Sequence, residues 1–246
     1  VTRLWVVVPA YQEEALIEDT LRALAAQRDR DFTLLVVDNG CTDATVAKVR
    51  TFAAGAPFPV EVVSEPEKGV GAAIDTGFRH AIAAGATLLA RTDADCLPLP
   101  GWTAAARAGL RDSRGLVYGQ LTARPDEHGP LGRASFRAMV VLGACFGRIR
   151  PAHRRRHGYL APYRMHAGNN MAITAELYQA VGGMPRRPSP TDRTFMNRVR
   201  RHTTAIVHRR DMVVQNSTRR IRAYGVVGTA RWYLDRGAGR CRVDIR

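Results

Sequence analysis

Lysine is almost absent from this chain: Lys48 and Lys68 are the only two, and arginine supplies the other 35 of 37 basic residues. Apolar runs of about 18 residues, the length needed to cross a bilayer as a helix, are also missing. The longest candidates, around Leu4–Val8, Ala81–Ala90 and Ala138–Gly147, all fall short. Cysteine is sparse, and Cys41, Cys96, Cys145 and Cys241 form no C-x-x-C pair. That argues against a zinc ribbon or a disulfide framework and fits a reducing compartment. Val1-Thr2-Arg3 runs straight into an apolar strand pattern with no signal-peptide pattern, and the missing initiator Met leaves a trimmed leader open. The expectation is a soluble, cytoplasmic protein.

What is present is an ordinary globular balance over 246 residues, 46% hydrophobic and 24% charged. That length allows one large or two small domains. Acidic residues number only 22, leaving a formal charge of +15. The arginine excess reads either as a coding bias toward Arg and Ala or as an anionic partner: a nucleotide, a phospholipid surface or nucleic acid. Charge alone does not choose.

Periodicity orders the first half. Leu4–Val8 is a continuous apolar run, as in a strand buried on both faces, and Pro9 stops it. Ile17, Leu21 and Leu24 recur at helical spacing behind Glu13, Glu14, Glu18 and Asp19, acids that suit a helix N-terminus. Strand Thr33–Val37 ends at the turn Asp38-Asn39-Gly40, and Thr42 or Asp43 can cap a helix reaching Phe52. Val60–Val63 predicts a third strand, Val70 to Ile82 an amphipathic helix, and Thr87–Arg91 a fourth strand. Alternation of this kind indicates a parallel α/β sheet, whose ligands lie at the carboxyl ends of the strands. Those ends carry Pro9–Glu13, Asp38–Gly40, Glu65–Gly69 and Asp93–Asp95.

The second half is less regular. Helices are expected at Trp102–Arg111, Ser135–Phe146, Ala175–Val181, Asp192–Arg201 and Arg222–Leu234, with strands at Leu116–Thr122, Ala205–His208 and Met212–Gln215. Arg148–Arg164 is basic, aperiodic and read as a loop. It is either a lid over an anionic ligand or a solvated surface segment.

Asp93-Ala94-Asp95 is the first candidate for chemistry. Carboxylates at i and i+2 of an extended chain point the same way and can hold a divalent cation, since Mg²⁺ prefers one or two carboxylates plus phosphates and water. A solvated turn is the bland alternative. Asp38 reads as a turn-former or as an acceptor for ribose and base groups. Lys68-Gly-Val-Gly71 is a turn that suits phosphate at a helix start, though it matches neither a Walker A loop nor G-x-G-x-x-G. Asp192 reads as a helix N-terminal acid, and His166, Asn169 and Asn170 as buried polar groups, when each is taken alone.

Taken in order, Val7-Val-Pro-Ala-Tyr-Gln-Glu-Glu14, Val36-Val-Asp-Asn-Gly-Cys-Thr-Asp43, Lys68-Gly-Val-Gly-Ala-Ala-Ile-Asp-Thr-Gly77 and Thr92-Asp-Ala-Asp95 resemble the signature of family 2 glycosyltransferases. His166-Ala-Gly-Asn-Asn-Met-Ala-Ile173, Val181-Gly-Gly183 and Thr191-Asp-Arg193 resemble the acceptor-side half of that family. The resemblance runs from about Leu4 to Arg220. It implies a single-domain GT-A fold, a Rossmann-like, mostly parallel sheet flanked by helices. Residues 1–123 would form the donor half, and 124–246 the acceptor half with a basic loop at 148–166.

By the same resemblance, a nucleotide diphosphate sugar lies across the strand ends. Pro9, Ala10, Tyr11 and Glu13 line its base, Asp38 binds base or ribose, and Lys68, Gly71 and Asp75 belong to the donor site. Asp75 stands where the family usually has Asn, and Ile74 where it often has Arg. Asp93 and Ala94 face the ribose side, and Asp95 with Asp93 holds Mn²⁺ or Mg²⁺, with His208 a further metal ligand as in some relatives. Asp192 takes the general-base position, behind Thr191 where the family often has Glu. His166, Asn169, Asn170 and Arg193 belong to the acceptor side. The implied reaction is a single in-line displacement that inverts the anomeric carbon, with Arg154–Arg156 or Arg219-Arg220 assisting at the diphosphate.

Gln215-Asn-Ser-Thr-Arg-Arg220 does not match the Gln-x-x-Arg-Trp motif of processive synthases, so transfer of one sugar is expected. The basic charge also allows peripheral contact with a membrane or an anionic acceptor. A sugar nucleotidyltransferase is the nearest rival, but it needs a Gly-rich N-terminal loop that Val8–Glu13 lacks. Nucleic-acid binding is the other rival. It calls for stacking aromatics, and the basic segment offers only Tyr159 and Tyr163 nearby.

Overall fold

The computed structural model describes residues 3–127, 129–149, 158–163, 168–186, 191–219, 221, 223–225 and 228. Its elements are β1 (Leu4–Ala10), α1 (Ile17–Ala25), β2 (Phe32–Asp38), α2 (Thr45–Ala53), β3 (Val60–Ser64), α3 (Val70–Ala83), β4 (Leu88–Arg91), β5 (Leu97–Pro98) and α4 (Trp102–Ser113). There follow β6 (Leu116–Ala123), α5 (Pro130–Ile149), β7 (Met171–Thr174), α6 (Ala175–Ala180), α7 (Thr191–His202) and β8 (Ile206–Asn216).

One eight-stranded sheet runs β3-β2-β1-β4-β7-β6-β8-β5. Strands β1 to β4 are mutually parallel, as the alternating first half predicts, and β6 pairs parallel with β8. β7 is antiparallel to both its neighbours, and β5 is antiparallel to β8. The sheet does not part at residue 123, because β6 lies between β7 and β8.

Two apolar layers cover the sheet. Even-numbered residues of β1 (Leu4, Val6, Val8) pack with Ile17, Leu21, Leu24, Val49 and Trp102 of α1, α2 and α4. Odd-numbered ones (Trp5, Val7) pack with Ile74, Phe78, Tyr178 and Phe195 of α3, α6 and α7. Period-two alternation thus sends each strand to both layers, which is why β1 reads as an unbroken apolar run. Gly77 lets α3 lie close to the sheet, since a Cβ there would meet Val7 Cγ1 at 2.5 Å.

Three sequence expectations change. Pro9 does not stop the first strand, since β1 runs through it to Ala10, still paired with β2. Ala205–His208 and Met212–Gln215 are not separate strands but the two ends of β8. The charged residues between them form an irregularity, with Tyr118 opposite His208 and Gln120 already opposite Val213. Gly119 makes room for it, because a Cβ there would meet the Met212 carbonyl oxygen at 1.9 Å. Met171–Thr174, read only as part of a motif, is the strand that joins the two halves of the sheet. Residues 223–225 and 228 of the expected helix Arg222–Leu234 are helical, and the rest of it and most of the basic loop fall outside the described residues. Among the described residues no helix is long and apolar enough to cross a membrane.

Candidate active site

β4 leaves the sheet early. β1 pairs with it only through Val7, so Pro9, which has no N–H to give, costs no ladder bond there. Past Ala10 the chain turns at Gln12, whose φ of 54° is rare for a residue with a side chain. The Gln12 amide fastens that turn: Nε2 donates to Thr42 Oγ1 (2.9 Å), and Oε1 accepts from the Thr42 N–H (2.7 Å). The Glu13 N–H then donates to Thr45 Oγ1 at 2.9 Å, tying the end of β1 to the start of α2.

Asn39 fixes the neighbouring loop. Its buried Nδ2 donates to the carbonyls of Glu65 and Glu67, both at 2.8 Å, and its Oδ1 accepts from the Gly69 N–H at 2.8 Å. Asp38 Oδ1 accepts from the N–H groups of Gly40 and Cys41, at 3.1 and 2.8 Å, and so shapes the turn. The Lys68 ammonium stands 5.4 Å from the Tyr11 ring centroid, closing the 65–69 loop toward the end of β1.

Four carboxylates from distant parts of the chain meet two arginines at this edge. Arg91, the last residue of β4, has a side chain only 3% exposed. Its Nε and Nη2 reach Asp93 Oδ1 at 3.1 and 3.0 Å, and its Nη1 donates to Asp192 Oδ1 at 2.9 Å. One guanidinium therefore joins the D-x-D turn to the first turn of α7 across 101 residues of sequence. Arg219, just beyond β8, grips Glu13 with both terminal nitrogens and approaches Asp95 Oδ2 at 3.1 Å. Burial raises the Asp93 carboxyl above its ordinary value; Arg91 pulls it down, and Asp95 and Asp192 push it up further. Burial likewise raises Glu13, against the pull of Arg219.

Asp192 sits where only glycine can face it: a Cβ on Gly168 would fall 2.1 Å from Asp192 Oδ1. Cys96, fully buried and held protonated by burial and by Asp95 and Asp93, donates its S–H toward Asp95 Oδ1 (3.3 Å) and Asn216 Oδ1 (3.2 Å). Asn169 Nδ2 reaches Cys96 Sγ at 3.3 Å and also Asn216 Oδ1, while its buried Oδ1 has no hydrogen-bond partner among the described residues.

This edge belongs to a recognisable scaffold. The family model "Glycosyl transferase family 2" matches residues 5–181. The chain belongs to that family. It is 31% identical over 99 residues to glycosyltransferase AglE of Haloferax volcanii, a stretch covering 39% of this chain and 32% of that protein. The mannosyltransferase PcManGT of Pyrobaculum calidifontis, solved with GDP-Man and Mn²⁺, superposes with a TM-score of 0.65 at 25% identity. That match covers 96% of this chain and 65% of PcManGT. S. aureus TarS 1–349 with UDP-GlcNAc shares the fold, with a TM-score of 0.61 at 16% identity over 88% of this chain and 59% of TarS. The chain thus spans a third of AglE and less than two thirds of both solved relatives. The fold is GT-A, a single α/β domain.

Within this family 2 scaffold the expected residues scatter in an informative way. Glu13, Asp93, Asp95 and Asp192 are brought together, and Pro9, Ala10, Tyr11, Asp38, Lys68 and Ala94 lie along the same edge. Ala94 is buried, and its carbonyl accepts from Thr20 Oγ1 at 2.7 Å. Gly71 lets α3 start against Pro185 and Thr191, where a Cβ would meet the Pro185 carbonyl oxygen at 2.1 Å.

Asp75 is 3% exposed and committed to structure: it accepts from Tyr178 Oη (2.8 Å) and Arg79 Nε (2.9 Å) and pairs with Arg186 at 3.4 Å. Asn170 is equally committed, accepting from Trp102 Nε1 (2.8 Å) and donating to the carbonyls of Gln120 and Met212. His208 is not brought to the D-x-D turn. It lies opposite Tyr118, on which its ring stacks at 5.0 Å, five β6 residues or roughly 17 Å from the Asn216 end. Arg193 follows Asp192 on α7, half-buried. His166, Arg154–Arg156 and Arg220 lie outside the described residues.

Sequence reading passed over Arg91. Its signal was a charged residue closing an apolar strand, because an arginine buried there needs a carboxylate partner. Asn39 and Cys96 were also missed as site-shaping groups, and neither carries a pattern that sets it apart from a turn-former or a core residue.

Proposed function

We propose that the protein transfers one sugar from a nucleotide diphosphate sugar to an acceptor nucleophile, with inversion at the anomeric carbon. The observation that carries this reading is the meeting of Glu13, Asp93, Asp95 and Asp192 around two arginines at the carboxyl edge of a GT-A sheet. Residues 1–123 supply most of the donor side: Tyr11 and Lys68 at the base, Asp38 and Asp93 at the ribose. The acceptor enters from the side of Asn169, Asp192 and Arg193, where Asn169 Oδ1 is a buried acceptor atom without a partner among the described residues. A charge of +15 suits an anionic donor, and an anionic acceptor or membrane surface beyond it.

Asp192 accepts the proton of the attacking acceptor hydroxyl. Its Oδ1 is fixed by Arg91, and its Oδ2 receives no hydrogen bond from the described residues. A side chain 40% exposed leaves that oxygen open to an acceptor. Arg91 also keeps Asp192 and Asp93 at a set separation, so that base and donor are aligned before reaction.

A divalent cation, Mn²⁺ or Mg²⁺, fits beside Asp95 with Asp93 next to it. The guanidinium already resting on Asp95 Oδ2 marks this as a place where a cation is favoured. Among the described residues no group of three or more His, Cys, Asp or Glu is placed to hold a metal ion by itself. One or two carboxylates completed by phosphate oxygens is the pattern Mg²⁺ uses. When bound, the ion neutralises charge on the departing diphosphate. The PcManGT structure holds GDP-Man with Mn²⁺, and the TarS structure holds UDP-GlcNAc. GDP and UDP sugars are therefore the first donors to try.

The test is nucleoside diphosphate release from GDP-mannose and from UDP-GlcNAc with Mn²⁺, followed by NMR of the sugar product. The expected product has the anomeric configuration opposite to the donor's. Retained configuration overturns the single-displacement mechanism.

A further inference from the structure

Asp95 already holds a cation, and that cation belongs to the chain itself. Arg219 pairs with Asp95 Oδ2 at 3.1 Å while gripping both oxygens of Glu13. Building on the donor reading above, we propose that Arg219 is an exchangeable counterion. It neutralises Glu13 and Asp95 in the free protein, and it turns to the donor diphosphate once a divalent cation occupies Asp95.

Three observations support the exchange. Arg219 is 24% exposed in its side chain, against 3% for Arg91, so it has room to reorient that Arg91 lacks. Its main chain is held independently: Thr218 donates both its N–H and its Oγ1–H to Glu127 Oε2, the latter at 2.9 Å. The side chain can therefore swing while the segment stays in place. Finally, a divalent ion binds a carboxylate oxygen at about 2.1 Å. A guanidinium 3 Å from that oxygen would be repelled by the new charge, while a diphosphate brings the charge to receive it.

The geometry thus makes Arg219 a positioning residue that responds to the state of the site. It shields a surplus of acidic groups before the donor arrives, and it closes on the diphosphate afterwards. Because its planar fork suits both a carboxylate and a phosphate, lysine would replace it incompletely.

The test reads binding rather than turnover. Mn²⁺ is titrated by electron paramagnetic resonance into the wild-type chain and into Arg219→Ala and Arg219→Lys, first without nucleotide. GDP and UDP are then titrated calorimetrically at saturating Mn²⁺. Arg219→Ala should bind Mn²⁺ alone about three- to fivefold more tightly, since a competing ion pair is gone. It should bind the nucleoside diphosphate roughly tenfold or more weakly. Arg219→Lys should fall between wild type and Arg219→Ala in both. These opposite signs separate exchange from a structural role, because a damaged fold would weaken both. Mn²⁺ affinity that is unchanged or weaker in Arg219→Ala, with the wild type binding nucleotide normally, overturns the exchange alone. A wild-type chain that binds neither GDP nor UDP with Mn²⁺ removes the donor reading and the exchange with it.

Discussion

Two arginine–carboxylate networks, one at the carboxyl edge of the sheet and one on the flank of α3, use the same chemistry to different ends. On the flank, Arg186 reaches Glu65, Glu67 and Asp75, and Arg79 also takes Asp75. Two of those three carboxylates are tied further to a neighbouring helix: Glu65 also accepts from Thr76, and Asp75 from Tyr178. That network fastens α3 to α6 and to the loop after β3. At the edge, four carboxylates share Arg91 and Arg219, and two of them, Asp93 and Glu13, are raised by burial. On the flank, by contrast, Glu65 is held below its ordinary value, burial being outweighed by its bonds to Thr76 and Arg186. Raised acids gathered at one edge are what a cation-binding or proton-accepting site would show.

The largest effect that separates the networks is expected at Asp192. Asp192→Asn should leave the thermal midpoint close to wild type and lower sugar transfer by about 10²–10⁴-fold, the range for loss of a general base. Activity retained within a few-fold would move the base elsewhere.

Next comes Arg91→Met, which strips the buried bridge and leaves Asp93 and Asp192 facing each other. It should cost about 3 kcal/mol in urea unfolding, the lower end for a broken buried pair, because both carboxylates keep some water. Arg91→Lys should recover part of that loss. A cost below about 1 kcal/mol would mean that Arg91 is dispensable as a bridge.

The smallest effect belongs to the flank. Tyr178→Phe removes the hydrogen bonds to Asp75 and from the Met184 N–H and should cost about 1–2 kcal/mol. Nucleotide affinity, measured on the folded variant, should not change. A clear loss of nucleotide binding would bring Asp75 back into the donor site.

The same division explains what the sequence made legible. Strands β1 to β4 and helices α1 to α3 follow from period and turn signals, because each is specified by its own residues and their alternation between two apolar layers; the cap expected from Thr42 or Asp43 is not found, since α2 starts behind Ala44. The reading of strand ends placed Glu13, Asp38, Asp93 and Asp95 on one edge for the same reason, since strand ends are local features, whereas Asp192, in the first turn of α7, was singled out only by resemblance. What stayed hidden is non-local. Arg91 looks like the end of an apolar strand until Asp192, 101 residues away, is folded against it. β8 looks like two strands because its charged middle breaks the alternation, and only Gly119 on the adjacent strand shows why the chain continues through it. Asn170 keeps its motif letter and Asp75 stands where the family usually has Asn, yet the hydrogen bonds of both go to Trp102, Tyr178, Arg79 and backbone carbonyls. A motif fixes where such a side chain lies in the chain, and only the packing around it decides what it touches.

The proposed function requires this carboxyl edge to bind a nucleoside diphosphate with a divalent cation through Asp95. Thermal stabilisation by UDP, GDP, CDP and dTDP, each with and without Mn²⁺ or Mg²⁺, reads that requirement for the wild-type chain and for Asp95→Ala. One diphosphate should raise the melting temperature only when metal is present, and Asp95→Ala should abolish the shift while remaining folded. Stabilisation that ignores metal, or that survives in Asp95→Ala, would contradict that requirement.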